Sequence, residues 1–157
     1  MALTEFQRRI CRLIARQRLE TGESYVAGAV ALNVFTGATR ISRDIDLFHD
    51  TTSAVAASWE ADSEVLRAHG YLLSLLRDRD GFVEAEVSKE DQRVVMQWAA
   101  DSAFRFFPLT QHEDFGLTLH PFDLATNKVL ALVGRLEARD WIDVMNCHDR
   151  IQRLGYL

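Results

Sequence analysis

Apolar residues recur along the chain with two different periods, and the period distinguishes helices from strands. Spacings of three and four, as in Phe6, Ile10 and Ile14, indicate an amphipathic helix, whereas the alternation that separates Ile45 from Leu47 indicates a half-buried strand. The pattern predicts helices over about 4–20, 29–35 and 51–70, one that begins at Pro121 and one around Trp141. Strands are predicted over 24–26, 44–48, 71–77, 82–88 and 93–98. This order predicts an α/β (α+β) fold, a small mixed sheet with helices packed on it.

The last two helices are each predicted to bury an apolar side. In the first of them that side holds Leu124, Val129, Leu130, Leu132 and Val133. The final helix carries Trp141, Ile142, Val144, Met145 and Ile151. The tryptophans also lie in apolar patterns, so we expect all of them in the core rather than on a surface that stacks bases: Trp59, Trp98 and Trp141.

The length and composition of the chain limit the class of protein to which it can belong. With 157 residues, 48% hydrophobic and 26% charged, the chain has the size of one globular domain, and we expect a single domain over 1–157. Its first residues lack the apolar stretch of a signal peptide and no apolar run is long enough to cross a bilayer, so we expect a cytoplasmic protein without a membrane partner. Cys11 and Cys147 are too few and too distant for a disulfide framework or a zinc site, and are expected in the core as thiols.

The charge of the chain limits the kinds of partner that it is expected to bind. A net charge of -5 argues against non-specific coating of nucleic acid, which depends on cations that neutralise phosphates. Arg8, Arg12 and Arg16 nevertheless line one side of the first helix, either as a solvated face or as a phosphate-contacting stripe. Only Lys89 and Lys128 are lysines among the 18 basic residues. This skew towards arginine is typical of genome composition, and it makes the two positions that keep lysine worth locating.

The predicted strand over 44–48 carries the candidate chemistry. Its alternation places Asp44 and Asp46 on one face, where two carboxylates could hold a divalent cation together with a nucleoside triphosphate (NTP). Upstream, Gly28 permits close approach of backbone to phosphate, and the helix that follows it directs its first amides at that charge. An Asp-x-Asp motif alone is weak, but its combination with Gly28, Arg40 and Ser42 at this spacing is more specific.

Two blocks of sequence resemble the AbiEii-type nucleotidyltransferase toxins. The first comprises residues 26–32 (VAGAVAL) and 40–48 (RISRDIDLF), similar to the family's GGTAL and R-x-S-x-D-I-D-L-F motifs. The second comprises residues 123–132 (DLATNKVLAL), Arg135 and 139–143 (RDWID), similar to its D-L-A-x-x-K-L-x-A-L and R-x-x-x-R-D-x-x-D segment. Residues 101–106 (DSAFRF) resemble a further, less diagnostic segment, and together the blocks extend from residue 26 to residue 143, most of the length of the chain.

The resemblance implies the nucleotidyltransferase fold of the polymerase β superfamily, and transfer of a nucleoside monophosphate from an NTP to an acceptor with release of pyrophosphate. It further implies Mg²⁺ or Mn²⁺ on Asp44 and Asp46, and a cognate antitoxin as partner. Gly28 and Ala29 would face the triphosphate, which Arg40 and Ser42 would help to bind. Lys128 would contact phosphate or transition-state charge, and Asp140 would orient Lys128 or the acceptor. Some relatives modify the end of tRNA, and protein and small-molecule acceptors such as an aminoglycoside stay open.

Departures from the motifs leave an alternative open. The second glycine and the threonine of GGTAL are replaced here by Ala29 and Val30. Gln97 occupies the position where the superfamily carries a third carboxylate, and an amide cannot act as a base at neutral pH. Glu84, Glu86 or Asp101 could substitute for it. The alternative function is a catalytically impaired domain that binds a nucleotide or a protein partner.

For some single residues an interpretation without a role in function also stays open. Lys128 could be a surface lysine, and Arg139 and Asp140 could form a simple surface ion pair. His49, next to the Asp-x-Asp motif, is expected to be structural rather than a ligand or an acid, because a histidine at the end of a strand is usually only a polar terminus.

Overall fold

The computed structural model describes residues 3–102, 104–134 and 137–157, in which helices and strands alternate at first and are followed by a run of strands and two last helices. Ala103 and Arg135, both part of the sequence motifs, lie outside the described residues. The helices are α1 (Glu5–Thr21), α2 (Gly28–Thr36), α3 (Thr52–Ala68), α4 (Pro121–Gly134) and α5 (Ala138–Arg150), followed by a short 3-10 helix (Leu154–Tyr156). The strands are β1 (Ser24–Ala27), β2 (Asp44–His49), β3 (Leu72–Arg79), β4 (Phe82–Lys89), β5 (Gln92–Ala100), β6 (Thr110–His112) and β7 (Gly116–Thr118).

The strands form one mixed sheet in the order β3-β4-β5-β2-β1-β7-β6. Strand β2 lies in the middle, antiparallel to β1 and parallel to β5, and β1 is parallel to β7. The predicted mixed sheet is therefore confirmed. Strands β6 and β7 were not predicted, because three residues are too few to show an alternating pattern.

One face of the sheet forms the core with α1 and α3. Ile45 and Leu47 of β2 are fully buried on this face, and Ile10 and Ile14 of α1 lie in the same apolar cluster. Helix α1 begins at a capping box, in which the side-chain oxygens of Thr4 and Gln7 each accept a hydrogen bond from the other's backbone N–H. The alternation of β2 turns Asp44 and Asp46 to the opposite face, as predicted.

A buried ion pair joins the two core helices. Arg18 of α1 donates to Asp62 of α3 at 2.9 Å, and both side chains are 1% exposed. The indole nitrogen of Trp98 donates to the same Asp62 oxygen at 2.9 Å. Trp59 packs edge-on against Trp98 with ring centroids 4.8 Å apart, so both tryptophans belong to the core as predicted.

The thiols of Cys11 and Cys147 are both buried and free, in agreement with the sequence. Burial raises the pKa of Cys11 to about 12 and that of Cys147 to about 11. Both therefore stay protonated at neutral pH and serve as small apolar side chains.

The burial predicted for the last two helices is wrong at several positions. Leu130 and Val133 of α4 are 65% and 80% exposed, and the α5 residues on the outer face are also more than half exposed: Trp141, Ile142 and Met145. These helices turn a different side inward, which carries Leu124, Ala125, Lys128, Asp140, Asp143 and Val144. On this side the buried charges of the two helices pair with each other, as Lys128 of α4 binds Asp140 and Asp143 of α5.

The arginine stripe of α1 is largely used inside the molecule. Arg8 and Arg12 both bind the buried carboxylate of Asp114, at 3.1 Å and 2.7 Å. Arg16 pairs with Glu20 on the surface of the same helix. The first two arginines therefore anchor the turn between β6 and β7 to α1, which favours a structural role over a phosphate-contacting stripe. No helix of the described residues has the length and apolar character needed to cross a membrane.

Candidate active site

A cleft of about 860 Å³ opens on the face of the sheet that carries Asp44 and Asp46. The sequence-predicted residues that line it are Gly28, Ala29, Arg40, Ser42, Asp44, Asp46 and Lys128. Asp140 lies behind Lys128 and is fully buried. Residues that are separated by about a hundred positions along the chain thus meet at one place, because β1 pairs with β2 and α4 packs against α2, the helix that follows β1.

Gly28 packs directly against Asp46. Its φ angle is +66°, and a methyl group added to its Cα would collide with the Asp46 carboxylate. The backbone therefore needs glycine here for two reasons, the left-handed conformation and the close approach. The contact holds Asp46 at the start of α2, which is a role for Gly28 in addition to the expected one of facing a triphosphate.

The N-terminus of α2 faces the cleft without a side-chain cap. Its N-cap residue is Ala27, which has no polar atom to offer the first amides of the helix, and Ala27, Gly28 and Ala29 all line the cleft. The first amides of the helix and the positive end of its dipole at this point favour an anion. Val30, where the related motif has threonine, is instead fully buried in the core, so its side chain does not line the cleft.

The loop before β2 is held at both ends by buried amides. The side chain of Asn33 donates to the carbonyl oxygen of Arg40 at 2.8 Å, and that of Gln7 donates to the carbonyl oxygen of Ser42 at 2.7 Å. Ser42 is 7% exposed. The loop therefore presents Arg40 and Ser42 to the cleft from a fixed backbone.

Lys128 is held between two carboxylates of α5. Its Nζ lies 2.9 Å from Asp143 and 3.3 Å from Asp140, and its side chain is 10% exposed. The surface-lysine interpretation of Lys128 is therefore wrong. The pairing of Asp140 with Arg139 is also wrong, because Arg139 binds Glu137 instead and Asp140 is buried.

The other lysine has a local role. Lys89 donates to the carbonyl oxygen of His69 at 2.8 Å and lies over the ring of Tyr71, at the end of the sheet where β4 turns into β5.

Asp143 is the site residue that sequence reasoning missed. A single guanidinium nitrogen of Arg40 donates to both of its oxygens, at 2.7 Å and 2.9 Å, and Lys128 binds the same carboxylate. Asp143 therefore links the loop before β2 to α4. Its spacing of three residues from Asp140 places both on one face of α5, which is the signal that could have found it.

Gln97, the residue at the expected position of the third carboxylate, lies beside Asp46. The two residues are paired in the parallel register of β5 and β2, and both line the cleft. Asp101 lines the cleft at the end of β5. Within the described parts of the chain, however, no group of three or more histidine, cysteine, aspartate or glutamate side chains is arranged to hold a metal ion.

His49 lies on the core side of β2 and outside the cleft. It is fully buried, and its Nδ1 lies 3.3 Å from the carbonyl oxygen of Ala99. Burial lowers its pKa to about 4. The expected structural role fits this position.

Comparison with known proteins identifies the fold of the chain. No family model and no curated protein matches the chain. A candidate nucleotidyltransferase from H. pylori matches with a TM-score of 0.67 and 19% identity over 93% of this chain and 68% of its own. The Helicobacter pylori protein JHP933 matches with a TM-score of 0.67 and 18% identity over 95% and 68%. The chain has the nucleotidyltransferase fold.

A third match agrees with this fold. MenT4, a nucleotidyltransferase toxin from Mycobacterium tuberculosis H37Rv, has a TM-score of 0.63 and 14% identity over 94% of this chain. This chain spans 59% of the length of MenT4. At these identities the likeness shows the nucleotidyltransferase fold alone, and it confirms the fold that the two sequence blocks implied.

Proposed function

We propose that this protein is a Mg²⁺-dependent nucleotidyltransferase that moves a nucleoside monophosphate from an NTP to an acceptor, as part of a toxin–antitoxin or phage-defence pair in the cytoplasm. The observation that carries the proposal is the single cleft in which Asp44, Asp46, the uncapped start of α2 and Lys128 converge. MenT4, which shares the fold, is named as a toxin of this activity.

The donor set fits Mg²⁺. Asp44 and Asp46 offer carboxylate oxygens on one face of β2, and the absence of a side chain at Gly28 makes the room that Asp46 occupies. Mg²⁺ is commonly bound by one or two carboxylates together with water and substrate phosphates, so a pair without a third carboxylate is sufficient to hold it. When bound, the ion would neutralise charge on the triphosphate and on the transition state.

The chain's own residues supply positioning and electrostatic stabilisation. The first amides of α2 bind a phosphate of the NTP, and Ser42 lies close enough to the Asp-x-Asp motif to donate to a phosphate oxygen. Lys128, held in place by Asp140 and Asp143, directs an ammonium at the charge that develops on the transferred phosphate. Arg40 is 38% exposed while bound to Asp143, so its guanidinium borders the cleft as a further cation.

In the reaction, the acceptor oxygen forms a bond to the α-phosphorus. The bond from that phosphorus to the bridging oxygen breaks, and pyrophosphate leaves with the electron pair. The hydroxyl proton of the acceptor passes to water or to the carboxylate of Asp101, which also lines the cleft, because the amide of Gln97 cannot accept it. RNA, in particular the end of tRNA, is one acceptor class, and protein and small-molecule hydroxyls are the others.

The experiment that tests the proposal supplies each α-labelled NTP in turn, with Mg²⁺ and either total RNA or cell lysate. We expect label to enter one class of acceptor with one or more NTPs, and Asp46→Ala to abolish the transfer. Transfer that persists in Asp46→Ala would show that the metal site is wrongly placed.

A second candidate function is a domain that binds nucleotide or a protein partner without catalysis. The presence of Gln97 opposite Asp46 favours it, since no carboxylate occupies the usual position of the base. Nucleotide binding without transfer to any acceptor would support this candidate over the enzyme.

A further inference from the structure

Gln97 lines the cleft and forms a side-chain pair with Glu84 of β4, a pair that the proposed reaction does not yet use. Asp46, Gln97 and Glu84 are aligned across β2, β5 and β4 by the register of the three strands. Residues paired in register point to the same face, and neighbouring strands lie about 4.8 Å apart. The three side chains therefore form a row that begins at the Asp-x-Asp motif and runs outward.

Glu84 determines which end of the Gln97 amide faces it. The amide nitrogen of Gln97 donates to Oε1 of Glu84 at 2.8 Å. An ionised carboxylate accepts hydrogen bonds and cannot donate them, so the amide oxygen is excluded from that contact. The nitrogen is turned towards β4, and the carbonyl oxygen is left for the side on which Asp46 lies.

Glu84 is itself held in place. Its second oxygen lies 3.3 Å from Nε of Arg77 on β3, and its side chain is 13% exposed. Both oxygens of the carboxylate thus have a partner, one on each neighbouring strand. This arrangement gives Glu84 a fixed position from which to orient Gln97.

We propose that Gln97 provides the third oxygen ligand of the Asp44–Asp46 cation site, through its side-chain carbonyl, and that Glu84 is the positioning residue that keeps this oxygen facing the site. The inference rests on the proposed function. Amide and backbone carbonyl oxygens are hard donors suited to Mg²⁺ and Mn²⁺. The site accordingly carries one negative charge fewer than a site with three carboxylates, and the protein supplies a ligand where its superfamily supplies a base.

The test measures Mn²⁺ affinity of the purified protein by electron paramagnetic resonance of the free ion. We expect Gln97→Leu to weaken Mn²⁺ binding by about tenfold, and Glu84→Gln to weaken it by a similar factor because the amide of Gln97 can then reverse. Glu86→Gln is the matched control, since Glu86 is on the same face of β4 but is paired with Val95, which has no amide to orient. It should leave the affinity unchanged.

Two combined variants separate an orienting role from general electrostatics. In Gln97→Leu/Glu84→Gln the loss should equal that of Gln97→Leu alone, because Glu84 acts through Gln97. In Glu84→Gln/Gln97→Glu, where carboxylate and amide exchange places, Mn²⁺ should bind more tightly than to the wild type. Thermal unfolding of each variant shows that the fold is kept.

The outcomes distinguish this inference from the proposed function. If Asp46→Asn loses Mn²⁺ binding while Gln97→Leu and Glu84→Gln keep it, the role given to Gln97 is wrong and the metal site stands. If Asp46→Asn binds Mn²⁺ as the wild type does, the metal site of the proposed function is wrong. A full additional loss from Glu84→Gln in the Gln97→Leu background would overturn the orienting role of Glu84.

Discussion

Replacing Gly28 with alanine would place a methyl group where the Asp46 carboxylate now lies. The perturbation has two parts that the structure separates. The left-handed φ of +66° strains any residue with a Cβ, and the new methyl collides with the side chain of Asp46. Relief requires either a shift of the turn between β1 and α2 or a rotation of Asp46 out of its present position.

Gly22→Ala provides the matched control for the first part. Gly22 has nearly the same φ, +68°, but open space around the added methyl group. We expect it to lower the free energy of unfolding by about 1–2 kcal/mol, the cost of the left-handed conformation. Gly28→Ala carries the same cost plus a collision of about 1–3 kcal/mol, so we expect a loss of roughly 2–5 kcal/mol unless Asp46 moves.

Urea unfolding and Mn²⁺ binding measure the two consequences together. If Asp46 stays, Gly28→Ala loses more stability than Gly22→Ala; if Asp46 rotates, the stability is recovered at the expense of Mn²⁺ affinity and of nucleotide transfer. In both cases Gly28→Ala is distinguishable from Gly22→Ala. The reasoning would be refuted if the two variants lost equal stability and Gly28→Ala bound Mn²⁺ and transferred nucleotide like the wild type.

Three further predictions concern buried charged or titratable groups. Lys128→Arg keeps the charge but puts a larger planar group between Asp140 and Asp143. We therefore expect the rate of nucleotide transfer to fall by about tenfold or more, while the affinity for NTP changes by no more than a factor of a few. Full activity in steady-state assays would contradict the role of Lys128. Asp62→Ala leaves Arg18 charged, buried and unpaired, so urea unfolding should show a loss of about 3–5 kcal/mol, and a loss below about 1 kcal/mol would be inconsistent with the buried ion pair. Because the pKa of His49 is about 4 in the folded protein against about 6.5 for an exposed histidine, its contribution to stability is fully present above pH 6.5 and is lost as the pH falls through 4. The contribution is up to about 3 kcal/mol, and His49→Gln should remove it from the pH dependence of unfolding; identical pH profiles for the two proteins would count against the buried neutral histidine.

The part of the site that lies on β2 could be predicted from the sequence because strand geometry is local. Alternation alone places Asp44 and Asp46 on the face opposite Ile45, and the structure has them there. Gln97, which the sequence aligns with the third carboxylate of the superfamily, lies in register with Asp46 on the neighbouring strand β5. The contact of Gly28 with Asp46 could not be predicted, because it depends on how closely β1 and β2 approach.

The outer faces of α4 and α5 show the limit of hydrophobic periodicity. The helical pattern shows that Leu130 and Val133 lie on an apolar side of α4 and that Trp141 lies on an apolar side of α5. It does not show which side of each helix faces the rest of the molecule. Here the inward side carries Lys128 of α4 and the carboxylates of α5 that pair with it, together with Leu124 and Val144. Pairings of this kind join different elements, so the sequence could mark Asp143 only by its spacing from Asp140, and its contacts with Lys128 and Arg40 required the fold.

The chemical identity of the transferred group tests the central claim most directly. The protein is incubated with Mg²⁺ and an acceptor preparation, in parallel with NTP labelled at the α-phosphate and NTP labelled at the γ-phosphate, and Asp44→Asn/Asp46→Asn serves as the control. The account predicts that the α label enters the acceptor, that the γ label appears in pyrophosphate, and that the double variant does neither. Transfer of the γ label to the acceptor, or transfer of the α label by the double variant, would contradict it.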